Sequence, residues 1–422
     1  MLNVDRSLTL DEIDLSTLDF WQLPLSLREG ALETLRRTNP VAHFDDPAWM
    51  LLSEDEGGFW TVTRHADVMT VSRDPKVFSS ARGAVSIPDL PQEFIEFFGS
   101  MINTDDPRHG VLRRVVSRAF TPKRLAQIES RIGALAYDLV EECANYKEVD
   151  FVSKVASNLP LRIICEMMGV PDDKAQFVLE RSNIILGALD SEYVSPETPI
   201  DTAILTAALE LVSLMEEIGK DRIGSPLDDV TSALVNASVE GESLSASELA
   251  SFFILLVVAG NETTRNAISW GMVALDENPD QRSLLRSNLD ALLPFAVEEI
   301  VRWSSPVIFM RRTTTQPTTA LGVPLSEGEK VLLLYGSANR DEDVFEDPYS
   351  FRVDRVDNHH LGFGGYGPHF CLGAHLARRE LAALFKEVMS QMPNYEVVGE
   401  PDRLRSNFIN GIKHLHVRTE VF

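Results

Sequence analysis

Three cysteines occur in 422 residues, and one of them stands where a cysteine can do chemistry. Cys371 closes the run Gly362-Phe-Gly-Gly-Tyr-Gly-Pro-His-Phe-Cys. The apolar periodicity after it predicts a helix over 372–391. A sulfur at a helix N-terminus meets free backbone N–H groups and the positive end of the helix dipole, both of which favour thiolate over thiol. Glycines 362, 364, 365 and 367 let the backbone pass close to something flat and large. Together these features suit a thiolate metal ligand. Cys143 and Cys165 lie in helical patterns without glycines and read as buried structural residues.

Three other clusters carry polar groups at telling spacings. Glu299 and Arg302 are three apart, on one helical face ahead of Trp303, and a buried pair of this kind needs further partners. Gly260-Asn261-Glu262-Thr263-Thr264 follows six consecutive apolar residues, 253–258. Glu and Thr that deep are costly unless paired or hydrated, although threonines can also bond back to the i−4 carbonyl. His109 and Arg113 are four apart and share a helical face. Each cluster taken singly also fits an ordinary solvated or core face.

The elements that must position these groups are mostly helices. The periodicity predicts a short helix over 20–40, a strand at 59–63, a helix over 64–72 and a long loop rich in Gly, Pro and Ser over 79–100. Helices dominate from 107 to 304, among them a long apolar one over 246–277. Strands are expected at 307–310 and 331–335, a loop over 338–370, and a hairpin around Asn410-Gly411. The fold class is mostly α with small β-sheets, in one domain over 1–422 whose first 20 residues are an extended segment.

The formal charge is −25, which excludes nucleic acid as a partner. Three sparse cysteines make no disulfide framework and point to a reducing compartment. The N-terminus lacks a signal-peptide pattern, and the apolar run 252–260 is too short to span a bilayer. The expected location is the cytoplasm.

With those residues in place, the chain resembles the cytochrome P450 superfamily. The loop resembles its Phe-Gly-x-Gly-x-His-x-Cys-x-Gly signature, except that Phe363 lies one residue further from the cysteine than is common. The longer loop is similar to an actinobacterial branch of steroid C26/C27-monooxygenases and methyl-branched lipid ω-hydroxylases. The resemblance implies haem b, with Cys371 as iron ligand, Phe363 beside it, and His109, Arg113, Arg312 and His369 on the propionates; the choice of Arg312 over Arg311 rests on register alone. It implies Glu262 and Thr263 as the acid–alcohol pair that delivers protons to dioxygen, Gly260 as room for that dioxygen, and Arg355 as completing the Glu299–Arg302 network.

It further implies an O2-dependent monooxygenase, a monomer, fed by a ferredoxin and ferredoxin reductase from NAD(P)H. Docking is expected on Arg108, Arg113, Arg114, Arg118, Lys123, Arg124, Arg378 and Arg379. Ile87, Leu90, Ile254, Val258, Val307, Ile308, Phe309 and Ile409 are the expected pocket residues, all apolar and suited to terminal hydroxylation of a methyl-branched lipid, isoprenoid or sterol side chain. Another terpenoid or secondary metabolite is the alternative substrate. A peroxygenase and a non-catalytic haem-binding protein are the rival functions; the first needs neither Glu262–Thr263 nor a docking patch, and the second leaves Glu262–Thr263 unexplained. The reduced protein exposed to carbon monoxide is expected to give the red-shifted Soret band of a thiolate ligand, and the unshifted band of a nitrogen ligand would remove Cys371 from the iron.

Overall fold

The computed structural model describes residues 2–47, 57–83, 85–89, 100–119, 122–239 and 242–419, without the side chains of 100, 118, 119, 122–127, 238, 239, 242 and 243. Leu90, and the side chains of Arg118, Lys123 and Arg124, therefore lie outside the described residues.

The central helix runs over Ala246–Glu277, the span its periodicity predicts. Its start is a capping box: Ser245 Oγ accepts from Glu248 N at 3.2 Å, and the Glu248 carboxylate accepts from Ser245 N at 2.9 Å. Phe252, Phe253, Val257, Ile268 and Met272 on it are fully buried. It is long and apolar enough to cross a membrane, yet it is the axis of the largest hydrophobic cluster. The helices Asn158–Met168, Leu289–Ser304 and Ala374–Gln391 pack against it.

A five-stranded sheet lies beside this helical mass. Its spatial order is Val41–Phe44, Phe59–Val62, Lys330–Leu334, Phe309–Thr314, Phe78–Ser79, antiparallel except where Phe59–Val62 meets Lys330–Leu334. The strand expected at 307–310 starts two residues late. Ser305 takes a left-handed backbone (φ 37) and Pro306 has no N–H to give, so Val307 makes only an isolated bridge to Ile409.

Three other expectations change. Pro24 splits the helix expected over 20–40 into Leu18–Gln22 and Leu25–Thr38. The first 20 residues are not simply extended, since Leu10–Glu12 forms a 3₁₀ turn and Leu2 N donates to Tyr349 O at 2.9 Å. Asn410-Gly411 is not a hairpin turn. Asp402–Arg403 pairs with Ile412–His414 around a wider loop, and His416–Arg418 joins Glu148–Asp150 and Glu396–Val397 instead. Tertiary contacts claim Asn410: its Nδ2 donates to Ser304 O at 2.6 Å, and its carbonyl accepts from Trp270 Nε1 at 2.8 Å.

Between Asn339 and Gly373 the backbone forms no helix or strand, and buried ion pairs order it. Glu299 on the helix Leu289–Ser304 is wholly buried. Its Oε1 accepts from Arg302 Nη2 at 2.7 Å and Arg352 N at 2.9 Å; its Oε2 accepts from Arg302 Nε at 2.8 Å, Arg355 Nε at 3.1 Å and Asn358 Nδ2 at 3.2 Å. The guanidinium groups spend their remaining N–H bonds on loop carbonyls: Arg302 on Asn339, Pro348 and Ser350, Arg355 on Glu346, Asp347 and Ser350. Asn339 carries the order onward, its Oδ1 accepting from Leu361 N at 2.6 Å just ahead of the cysteine loop. Removing one partner strands buried charge. Glu299→Gln is therefore expected to cost about 3–5 kcal/mol in urea denaturation, and a loss below about 1 kcal/mol would show that the network is dispensable.

Candidate active site

Cys371 opens into a cavity between the central helix, the cysteine loop and the helix Ala374–Gln391. The loop is tied back on itself, with Cys371 N donating to Phe363 O at 2.9 Å, and Arg113 Nη2 donates to Phe370 O at 2.6 Å. Phe363 borders the cavity under the Arg378 guanidinium, 4.4 Å from its ring centre, and beside His360. The extra loop residue therefore leaves Phe363 well packed.

The sulfur faces the cavity but sits deep in the protein. Burial pushes the thiol pKa up, while the N–H groups of Gly373 and Ala374 and the charges of Arg113 and Arg378 pull it down. The N–H groups at the start of the helix Ala374–Gln391 thus favour the thiolate, as its position ahead of the helix predicts, while burial works against them. What such a sulfur lacks is a cation in the cavity.

One edge of the cavity has the opposite deficit. His109, Arg113 and His369 border it, and the two imidazoles lie 4.1 Å apart. His109 is buried, and its Nε2 has no hydrogen-bond partner among the described residues. His369 is pushed down to about 2 by burial, then by Arg312, His109 and Arg113. Arg113 and Arg312 gather there with the two imidazoles, and Asp105 and Asp106 are the acids that act on His109, Asp106 Oδ1 lying 3.8 Å from its Nδ1. Arg311 is committed elsewhere, donating to Asp89 Oδ1 at 2.5 Å and Ile87 O at 3.0 Å, whereas Arg312 acts on both histidines. Strand alternation separates the two arginines and favours Arg312 at the cavity edge. A sulfur facing the cavity, with Arg113, Arg312 and the unpartnered Nε2 of His109 at its edge, fits an iron porphyrin with two carboxylates.

The central helix presents Leu255, Leu256, Ala259, Gly260, Thr263, Thr264 and Ala267 to the cavity, one stripe at i, i+3, i+4 spacing. Ile254 and Val258 fall off that stripe and are buried in the core around the helix. Ile308, Phe309 and Ile87 belong to a separate cluster with Trp21 and Leu332, and Ile409 is buried behind its bridge to Val307. Of the described pocket candidates, Val307 alone borders the cavity. Met101, Ile102, Pro306 and Met310 border it without having been expected. The helical stripe could have been found by stepping three and four residues from Gly260; the others come from distant segments and left no local signal.

The acid–alcohol pair divides. Thr263 borders the cavity, its hydroxyl donating to Ala259 O at 2.8 Å. Glu262 faces away from it, fully buried and ion-paired with Arg265, one turn on. Its Oε1 also accepts from Asn266 Nδ2 at 3.1 Å, while Oε2 has no hydrogen-bond partner among the described residues. Arg265 passes the contact to Asn183 Oδ1 at 2.8 Å. Sequence reasoning missed Arg265, although Glu and Arg three apart on a helix are the same signal used for Glu299–Arg302. It also missed Glu380, a buried acid bordering the cavity, hydrogen-bonded by Thr264 and pushed up to about 8 by burial.

The basic surface is less open than expected. Arg108 pairs with Glu248, Arg378 with Glu298 and Arg379 with Glu129.

Comparison with known proteins agrees with this geometry. A family model described as cytochrome P450 matches residues 210–402. The methyl-branched lipid omega-hydroxylase of Mycobacterium tuberculosis H37Rv is 48% identical over 96% of this chain and 94% of that protein. The steroid C26-monooxygenase of Rhodococcus jostii is 40% identical over 91% and 80%. A Mycobacterium marinum cytochrome P450 solved with pseudoionone superposes with a TM-score of 0.92 at 38% identity, covering 96% of this chain and 98% of that one. A cysteine sulfur facing a cavity beneath a long helix is the arrangement of a haem-thiolate monooxygenase. The chain belongs to the cytochrome P450 family, uses haem b, and takes O2, a redox partner and an apolar substrate.

Glu298 anchors the cysteine loop from behind, holding Arg378 through two bonds (2.5 and 2.8 Å) and His360 at 2.9 Å. Although burial opposes it, these partners hold its carboxyl down at about 2, against 4.5 for a free glutamate. A depressed folded pKa gives stability that is present above the unfolded value and lost as pH falls through the folded one. Glu298→Gln is expected to be less stable than wild type at neutral pH, with the gap closing between about pH 4.5 and about 2. Denaturant titrations across that window check this, and a pH-independent gap would refute it.

Proposed function

We propose that the enzyme hydroxylates the terminal carbon of a methyl-branched chain, in a lipid, isoprenoid or sterol side chain. The observation that carries this reading is the hydrocarbon wall of Met101, Ile102, Leu255, Leu256, Val307 and Met310 on the cavity that Cys371 enters. Such a wall holds a chain by burial and offers it no hydrogen bond. The 48% identity to a methyl-branched lipid omega-hydroxylase, over nearly the whole chain, supports the same class.

Bound haem would supply oxygen activation and the oxidising equivalent for the C–H bond. The chain's own residues do the rest. Cys371 Sγ would hold the iron, and Arg113, Arg312, His109 and His369 would take the propionates. Thr263 would offer its hydroxyl proton to dioxygen, turning away from Ala259 O. Glu262 Oε2, the unpartnered atom, is where a buried water would connect the acid to that hydroxyl. The role of Ala259 and Gly260 is to leave space. A primary C–H bond is stronger than its secondary neighbours, so terminal selectivity has to come from how the wall orients the chain end.

Electrons would come from a ferredoxin and its reductase. The chain would work as a single-domain monomer in the cytoplasm. Titration of the haem-loaded protein is expected to give a substrate-type Soret shift with methyl-branched fatty acids or sterol side chains, and none with polar macrolides. Response to the macrolides alone would overturn the substrate class.

A further inference from the structure

We infer that Asn410 sets which carbon of the substrate chain is oxidised. It is a positioning residue, acting through the cavity wall at Pro306 and Val307 and not by touching substrate. The inference rests on the terminal hydroxylation proposed above and gives that selectivity a residue.

The chain enters this wall through an awkward turn. The helix Leu289–Ser304 stops at Ser305, whose backbone is left-handed at φ 37. Glycine is the usual residue at such a stop, and a side chain there costs about 1–2 kcal/mol. The Ser305 hydroxyl is bonded twice, donating to Arg302 O at 2.9 Å and accepting from Asn339 Nδ2 at 2.8 Å. Pro306 follows and has no N–H to give to a neighbouring strand. Pro306 and Val307 both border the cavity, yet both lie ahead of the strand Phe309–Thr314 and outside its ladder.

Asn410 supplies what the ladder does not. Its Nδ2 donates to Ser304 O at 2.6 Å and its backbone N to Pro306 O at 2.9 Å, so it grips the carbonyls on both sides of the strained serine. Its own carbonyl accepts from Trp270 Nε1 at 2.8 Å. Trp270 lies on the central helix, three residues beyond Ala267, which also borders the cavity. The same segment is pinned to that helix again where Ile412 N donates to Asn266 Oδ1 at 3.0 Å. Arg28 Nη1 and Nη2, each 3.4 Å from Asn410 Oδ1, orient the amide. One residue therefore ties two walls together and fixes the separation between Val307 and the central helix. Strain that surrounding contacts maintain beside a ligand cavity marks a place where geometry is used.

That separation bears on regiochemistry. A hydrocarbon wall gives a chain no hydrogen bond to register it, so the reacting carbon is chosen by where the wall stops the chain end. A displacement of about 1 Å can cost about a hundredfold in rate at a misplaced atom. Adjacent carbons of a chain are little further apart than that. At a methyl branch the competing tertiary C–H bond is also the weaker one, so a slack wall lets intrinsic reactivity decide.

The test uses the haem-loaded protein turning over isopalmitic acid, a saturated fatty acid ending in an isopropyl group, with electrons from a ferredoxin and its reductase. Mass spectrometry of the products gives the ratio of terminal to tertiary alcohol. Asn410→Asp is nearly isosteric but sets an acceptor against Ser304 O. Trp270→Phe releases Asn410 O from the central helix and leaves the amide intact. Each is expected to lower the ratio about tenfold, part of the hundredfold that such displacements reach. Should Asn410→Asp fail to bind haem, Trp270→Phe decides by the same readout. Tyr395→Phe is the control: it removes another buried hydrogen bond to the central helix, from Tyr395 Oη to Met272 O at 2.7 Å, away from Asn410. It is expected to lower Tm and keep the wild-type ratio. A wild-type ratio in both Asn410→Asp and Trp270→Phe would overturn the inference. An equal shift in Tyr395→Phe would show that selectivity follows stability, and would overturn it too. Wild type that oxidises another carbon would remove the terminal reading alone. A shift away from that carbon in the two Asn410-contact variants would then still support the positioning role, and no shift would overturn it.

Discussion

The Glu299 carboxylate is the point on which the cysteine side of the molecule depends. Five N–H groups converge on its two oxygens, and the two guanidinium groups among them, of Arg302 and Arg355, fan out to carbonyls at Asn339, Glu346, Asp347, Pro348 and Ser350. A stretch of more than thirty residues without helix or strand has no ladder to order it. Fixing each residue costs about 1–2 kcal/mol of backbone entropy, and a buried charge with many fixed acceptors meets that cost over a short distance. The geometry of the sulfur follows from this, since the loop that carries Cys371 begins where the network ends, at Asn339 and Leu361.

The cavity is organised by what each side is missing. Beneath, burial pushes the thiol of Cys371 up while the N–H groups of Gly373 and Ala374 and the charges of Arg113 and Arg378 pull it down. At the edge, Arg113 and Arg312 hold the histidines down, and Asp105 and Asp106 offset this only in part. Opposite, the central helix shows hydrocarbon and two hydroxyls. One planar group that carries a metal and two carboxylates meets the sulfur, the arginine edge and the hydrocarbon together. Folding energy spent on these unsatisfied groups is what makes the site specific for its cofactor.

Much of this could be seen in the sequence, and the limits are physical. Cys371, the Glu299–Arg302 pair and the His109–Arg113 pair are local spacings, and local spacings survive into structure. Arg355, more than fifty residues along, was placed on the pair by family resemblance, and it does reach Glu299. Periodicity found the central helix to the residue, but Ile254 and Val258 were placed on the wrong face, because an apolar run that is buried all round has no polar side to set its rotation. Ile308 and Phe309 failed for a related reason: Ser305 and Pro306 delay the strand, and its residues join the second cluster. Glu262 was expected at the cavity. Its neighbour three residues on turned it away, a competition between two partners that spacing alone does not rank. Arg312 could be separated from Arg311 only once Asp89 was seen to hold the latter.

Asn410 gives the molecule a timetable. One asparagine touches Arg28, Trp270 and Ser304, and its neighbour Ile409 braces Val307 on the cavity wall. Asn410 leaves the ribosome 382 residues after Arg28. Until then the wall beside Val307 has no backing, while the central helix and the Glu299 helix have already been made. Contacts of such long sequence separation form late, since the intervening chain must close first. The nascent protein thus leaves Val307 without its backing for about a hundred residues of synthesis and latches that flank near the finish.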